Sequence, residues 1–160
     1  MSKVTVNVKV SADLTELSAM RRNMGSYRIP LQEGVAYLRT AFQENFDSQG
    51  LMVGGWQPLS PVTSLWRVQN GYPPVAPILV NNGSLRADVL AARGDVGARE
   101  ARLTINNRIA PFHQYGSLKG RLPQREIVFE PPGFANLMAR RIRAHIMPNT
   151  FTADLRALFP

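Results

Sequence analysis

The chain has 160 residues, no cysteine, and 19 lysines and arginines against 11 acidic residues, a formal net charge of +8. That length suits one domain with a real core. The lack of cysteine excludes disulfide frameworks, thiolate metal sites and cysteine nucleophiles, and no apolar run approaches the roughly 18 residues that a membrane-spanning helix needs.

From the N-terminus, Val4, Val6, Val8 and Val10 alternate with polar residues. This predicts a strand in place of the continuous apolar core of a secretory signal. Asp13-Leu-Thr-Glu16 has capping-box form, and Leu14, Leu17, Met20 and Met24 continue at helical spacing. Gly25 to Ile29 interrupts the pattern. Pro30 suits a first helical position, and Leu31, Val35, Leu38, Phe42 and Phe46 repeat at three and four residues until Gly50, predicting a long amphipathic helix.

Residues 50–77 break that regularity, with five of the twelve prolines, four glycines and both tryptophans. A loop of this length in a compact domain normally has a use, and large aromatics argue against disorder. The stretch is expected to be an extended interaction arm, ordered on a neighbouring subunit, with Trp56, Pro58, Leu59 and Trp66 at the subunit interface.

Beyond the arm, a short apolar run from Ile78 leads to an Asn81-Asn82-Gly83 turn and then to a segment whose period fits helix and strand equally. Ala101, Leu103 and Ile105 alternate with Arg102, Thr104 and Asn106, predicting a strand that ends at Asn106-Asn107. Leu122 to Phe129 reads as another. After Pro131-Pro132-Gly133, the residues Phe134, Leu137, Met138, Ile142 and Ile146 mark a last helix. Arg140, Arg141, Arg143 and His145 crowd its C-terminal end, where the macrodipole favours cations; Arg140 and Arg141 are further candidates for subunit contacts. Pro148 stops this helix and leaves 148–160 as a C-terminal tail. The fold class expected is α+β: one domain over 1–147 with a small antiparallel sheet packed against two or three helices, carrying the arm at 50–77.

Charge is uneven along the chain. Residues 1–80 carry seven basic and five acidic groups, residues 81–160 twelve and six, and sixteen of the nineteen basic residues are arginine. Arginine's planar fork suits phosphates and protein interfaces. The basic half therefore points to nucleic acid or an acidic protein surface, against the plainer alternative of a solvated face.

The stretch Ile109-Ala-Pro-Phe-His-Gln-Tyr-Gly116 holds one of only two histidines. His113 there could be a base, a metal ligand or a packing element. Neither a nucleophile-elbow pattern nor a phosphate-binding glycine loop accompanies it. Two histidines 32 residues apart with no cysteine make a poor zinc site. No catalytic, cofactor-binding or metal residue is assigned. His113 is expected to fix a turn, its ring hydrogen-bonded to backbone between Phe112 and Tyr115, with Gly116 supplying backbone freedom.

Four stretches in order, Trp56 to Ser60 (WQPLS), Ile78 to Arg86 (ILVNNGSLR), Ile109 to Gly116 (IAPFHQYG) and Arg121 to Phe129 (RLPQREIVF), resemble the phage virion morphogenesis family. These are tail-completion and neck proteins of tailed bacteriophages related to the G-like protein of phage Mu. The resemblance covers about residues 30–130. Asn82 stands where the family usually has threonine, Pro111 interrupts the segment before His113, and Glu126-Ile127 replaces Pro-Phe. The resemblance implies a virion protein without enzymatic activity or cofactor, a tail-completion or tail-terminator/neck ring subunit, sixfold in copy number. It would join the tail tube protein to the head connector proteins, with DNA passing through the lumen. Two other classes remain open: a small basic nucleic-acid-binding protein, and a hydrolase with His113 beside an activated hydroxyl.

Overall fold

The computed structural model describes residues 14–75, 77–117 and 122–147. The strand expected at Val4 to Val10, the Asp13 end of the capping box and the tail 148–160 fall outside the described residues. Six helices occur among the described residues: α1 Leu14–Met24, α2 Arg28–Asp47, α3 Pro61–Gln69, α4 Ser84–Leu90, α5 Ala110–Tyr115 and α6 Phe134–Ile146. Two strands, β1 Arg93–Val96 and β2 Ala101–Thr104, pair antiparallel with Arg93 opposite Thr104 and Val96 opposite Ala101. The fold is small α+β, as its sequence pattern implies.

Helix α2 is the spine, in contact with α4, α6 and both strands. It buries Pro30, Gly34, Val35, Ala41, Phe42, Asn45 and Phe46, a stripe at three- and four-residue spacing. Pro30 sits two residues inside the helix start, where its missing N–H has no intrahelical partner to lose. Gly34 lets α6 approach: a Cβ there would lie 2.7 Å from Met138 Sδ. Nearby, Tyr37 stacks on Phe134 with ring centroids 5.9 Å apart.

The second histidine, His145, ties α6 to the chain before α2. Its Nε2 donates to the Ser26 carbonyl at 2.8 Å, while its own carbonyl accepts from Asn23 Nδ2 at 2.7 Å. Opposite, the hairpin rests on α2 at Gly94, where a Cβ would meet Val35 Cγ1 at 2.9 Å, and Arg39 Nη2 donates to the Ala92 carbonyl at 2.5 Å. Ala101 and Leu103 are half-buried while Arg102 and Thr104 are exposed, so the expected alternation holds in β2. The ambiguous segment after Gly83 resolves as helix α4, whose Leu85 and Val89 face the core.

Three expectations change. The arm is neither extended nor detached: residues 51–53 form a 3-10 turn and 61–69 form α3, capped by Ser60 Oγ accepting from Thr63 N at 3.2 Å with Pro61 in the first turn. Trp56 is 7 % exposed and belongs to the core of its own chain with Phe42, Phe46, Ile78, Leu85, Val89, Ala110 and Ile127. As an interface residue it is therefore corrected. Its ring meets Phe46 edge-on at 5.2 Å, its Nε1 donates to the Glu126 carbonyl at 2.9 Å, and the bare Cα of Gly50, at φ 86°, leaves room for the indole. Finally, residues 122–129 form no strand. Their backbone is held by a side chain instead: Gln114 Oε1 accepts from Ile127 N at 2.9 Å and Val128 N at 3.0 Å, and its Nε2 donates to the Val128 carbonyl at 2.8 Å. One amide thus satisfies the groups that a neighbouring strand would otherwise pair.

Candidate binding recess and its apolar rim

The four motif stretches lie far apart in sequence but converge on one recess of about 510 Å3. The first supplies Gln57 to Ser60, the second Leu79 to Asn81 and Leu85, the third Ile109 and His113, and the fourth Leu122, Pro123 and Arg125. Helix α3 closes the remaining side with Thr63, Trp66 and Arg67. The volume lies within the range typical of ligand sites.

Arg125 is the tie that brings these stretches together. Its side chain is buried, 4 % exposed; Nε donates to the Gln57 carbonyl at 3.0 Å and Nη2 to the Pro58 carbonyl at 3.1 Å. Its backbone N–H donates to the His113 carbonyl at 2.7 Å. Burial pushes the guanidinium pKa down, yet an arginine stays protonated at any physiological pH.

Arg67, also 4 % exposed, is the one buried residue of α3. Its Nη1 donates to the Pro77 carbonyl at 3.1 Å and its Nε is buried with no partner among the described residues. No carboxylate among the described residues lines the recess. Among the described residues, two buried cations therefore rest on backbone carbonyls alone, a costly arrangement unless something else compensates it.

His113 sits in the one-and-a-half turns of α5. The hydrogen bond expected of its ring is absent among the described residues: Nδ1 is buried without a partner. Phe112 and Tyr115 do not sandwich it but point outward, 57 % and 79 % exposed. The engaged group is its carbonyl. Burial, and secondarily the Arg125 charge, push the imidazole pKa below its ordinary value, so the ring is neutral at neutral pH. Gly116 has φ 73° and ψ −179°, a region only glycine visits freely, and a Cβ there would crowd the Leu122 carbonyl and Gln124 N at 3.2 Å.

Several large apolar side chains near these helices stay exposed. Val62, Leu65, Trp66 and Val68 of α3 are each about half or more exposed, as are Phe112 and Tyr115 of α5, and Ile109 at the α5 N-cap is 45 % exposed. Of these, Trp66 and Ile109 line the recess. Trp66 stacks on Tyr72 at 6.1 Å rather than entering the core. Of the other expected interface residues, Pro58 is exposed and offers its carbonyl to Arg125, and Leu59 packs half-buried against the core. Arg140 and Arg141 lie elsewhere, exposed on α6, where Arg141 Nη1 reaches Glu33 at 3.5 Å across a surface pair of small energetic weight. The recess and the α6 arginines are thus two separate places.

Sequence reasoning missed Arg67, Arg125 and Gln114 as organising residues. Arg125 and Gln114 both lie inside the quoted stretches, so the motifs carried the signal without revealing the roles. Arg67 carries none, being a charged residue on a helix whose other side chains are mostly exposed. No group of three or more histidine, cysteine, aspartate or glutamate residues fit for a metal ion, and no helix long and apolar enough to cross a membrane, occurs among the described residues. Comparison with protein-family models, curated proteins and solved structures gives no match for this chain.

Proposed function

We propose that this chain is a structural virion protein of a tailed bacteriophage, a tail-completion or tail-terminator/neck subunit that assembles as a homo-oligomeric ring between tail tube and head connector. The observation that carries the reading is convergence. The four stretches that resemble the phage virion morphogenesis family meet at one recess, with the exposed Trp66 and Ile109 in its lining. Val62, Leu65, Trp66 and Val68 also leave α3 with several exposed large apolar side chains, which in soluble proteins often mark a partner surface. Of the two tryptophans expected at the interface, Trp66 keeps that role in this reading, and the exposed Leu65 and Val62 of α3 join it.

A catalytic reading has less to stand on. His113 does face the recess with the Ser60 and Thr63 hydroxyls, but those hydroxyls bond each other at 2.8 Å in the α3 cap, and among the described residues no carboxylate lines the recess to orient the imidazole. The nucleic-acid alternative draws on the exposed Arg140, Arg141 and Arg143 of α6. Salt separates the two readings, because several phosphate contacts would make DNA binding by the isolated chain fall steeply with ionic strength.

The mass of the purified chain in solution, alone and with a tail tube protein, tests the proposal. A closed oligomer or a stoichiometric complex with the tube protein is expected. A chain that stays monomeric in both and binds duplex DNA with a steep salt slope would replace it with the nucleic-acid reading.

A further inference from the structure

We infer that the recess between α3, α5 and residues 122–125 is a binding site for a carboxylate carried on an apolar body, supplied by an acidic residue within an apolar segment of a partner protein. The inference rests on the assembly reading in naming a protein partner; the chemistry of the site stands apart from it.

Four features argue for this ligand. The recess holds two buried guanidiniums, Arg67 and Arg125, with no carboxylate in its lining among the described residues. Within the same residues Arg67 keeps a buried Nε without a partner. Such groups are stable neighbours when an anion sits between them, and guanidinium forks match carboxylate geometry. The walls are apolar where they do not carry charge: Leu59, Leu79, Leu85, Ile109, Leu122 and Trp66. An apolar body would bury against them and leave only the charged end at the arginines.

Phosphate fits less well. A duplex backbone cannot enter a half-enclosed volume of about 510 Å3, and both arginines already commit N–H groups to the Gln57, Pro58 and Pro77 carbonyls. A dianion, which calls for more donors, would be short of them. The Arg125 charge already registers on the neighbouring His113 imidazole, which places positive potential inside the recess.

The test is a nuclear magnetic resonance titration of the full chain with phenylacetate, neutral phenylacetamide and phenyl phosphate at matched ionic strength. Trp66 and His113 ring signals report on the recess, and the core residue Trp56 is the internal control. The titration is run on the natural chain and on Leu65→Glu, which lies outside the recess lining, so that an assembled neighbour cannot mask the site. Phenylacetate should shift Trp66 and His113 saturably and leave Trp56 in place, with phenylacetamide about tenfold weaker or worse, the factor one lost charged contact of about 1.4 kcal/mol gives.

Arg67→Gln would remove a buried tether and can unfold α3, so the isosteric change at exposed Asn81 carries the mutational arm. Asn81→Asp places a resident carboxylate in the lining and should weaken phenylacetate about tenfold. Equal binding of acid and amide, or no effect of Asn81→Asp, overturns the inference. So does the absence of any saturable shift in either folded chain. Tighter binding of phenyl phosphate than of phenylacetate overturns the carboxylate assignment in favour of a phosphate site. Sedimentation on the same samples keeps the two readings apart: binding without assembly leaves the recess a carboxylate site in a chain that is not a ring subunit, and assembly without binding removes the recess alone.

Discussion

Two tryptophans ten positions apart have opposite fates. Trp56 lies 7 % exposed against Phe46, its indole N–H satisfied by the Glu126 carbonyl, which also accepts from Asn45 Nδ2 at 3.0 Å. Trp66 lies 48 % exposed on a helix whose apolar side chains face outward and whose single buried residue is an arginine. The Trp56 ring is covered and its N–H paired, whereas the Trp66 ring stays half exposed. That contrast separates a part of the chain that makes the fold from a part whose large apolar side chains stay exposed. It also shows that a proline- and glycine-rich stretch need not have one role throughout.

The contrast can be broken most forcefully at the core. Trp56→Ala removes a large buried ring and a hydrogen bond and is expected to destabilise the chain by about 3–5 kcal/mol in denaturant unfolding. A loss below about 1 kcal/mol would mean that the indole is not core. Next in size is Gln114→Ala, which strips the acceptor from Ile127 N and Val128 N. The expected loss is about 2–3 kcal/mol, together with faster hydrogen exchange at residues 125–128.

Trp66→Ala sharpens the comparison from the other side. Losing the stack on Tyr72 should cost stability no more than about 1.5 kcal/mol, whereas assembly, followed by sedimentation, should weaken by about 2 kcal/mol. Smaller still is the paired change Arg140→Gln with Arg141→Gln. Stability should move by less than about 1 kcal/mol, and ring or particle assembly should fall by more than DNA affinity does.

A final, smaller effect is read by pH. The His113 pKa is depressed in the folded chain, so below the ordinary value of about 6.5 the unfolded chain takes up a proton that the folded ring resists. Stability is then lost as pH falls through that value, and His113→Gln should fold and lose less of its stability over the same interval. An unchanged acid profile would show that the ring is better solvated than its burial implies.

Much of the fold was legible because one physical pattern governed it. The stripe from Val35 to Phe46 marks α2, the alternation from Ala101 marks β2, and the stripe from Phe134 to Ile146 marks α6. What was not legible depended on a partner distant in sequence. Leu122 to Phe129 has strand-like composition, but Gln114 in α5 occupies its backbone groups. Trp56 and Trp66 share a composition, and only the position of Phe46 and of Gly50 beneath the indole decides which one is buried. β1 was missed because Arg93-Gly-Asp-Val96 has no apolar alternation, and its strand state follows from pairing with β2. At the site, the motif stretches were visible but Arg67 and Arg125 were not. A buried guanidinium held by carbonyls leaves no sequence pattern.

The central proposal is that the exposed apolar side chains of α3 are covered by another protein chain while Trp56 serves its own. Sedimentation velocity of the full chain and of Leu65→Glu, each alone and with a tail tube protein, tests it directly. Leu65 is 60 % exposed, so the variant should fold as the natural chain does. The account predicts a defined oligomer or complex for the natural chain and a folded monomer for Leu65→Glu under the same conditions. A natural chain that remains monomeric with and without the tube protein, or a Leu65→Glu chain that assembles as well as the natural one, would contradict it.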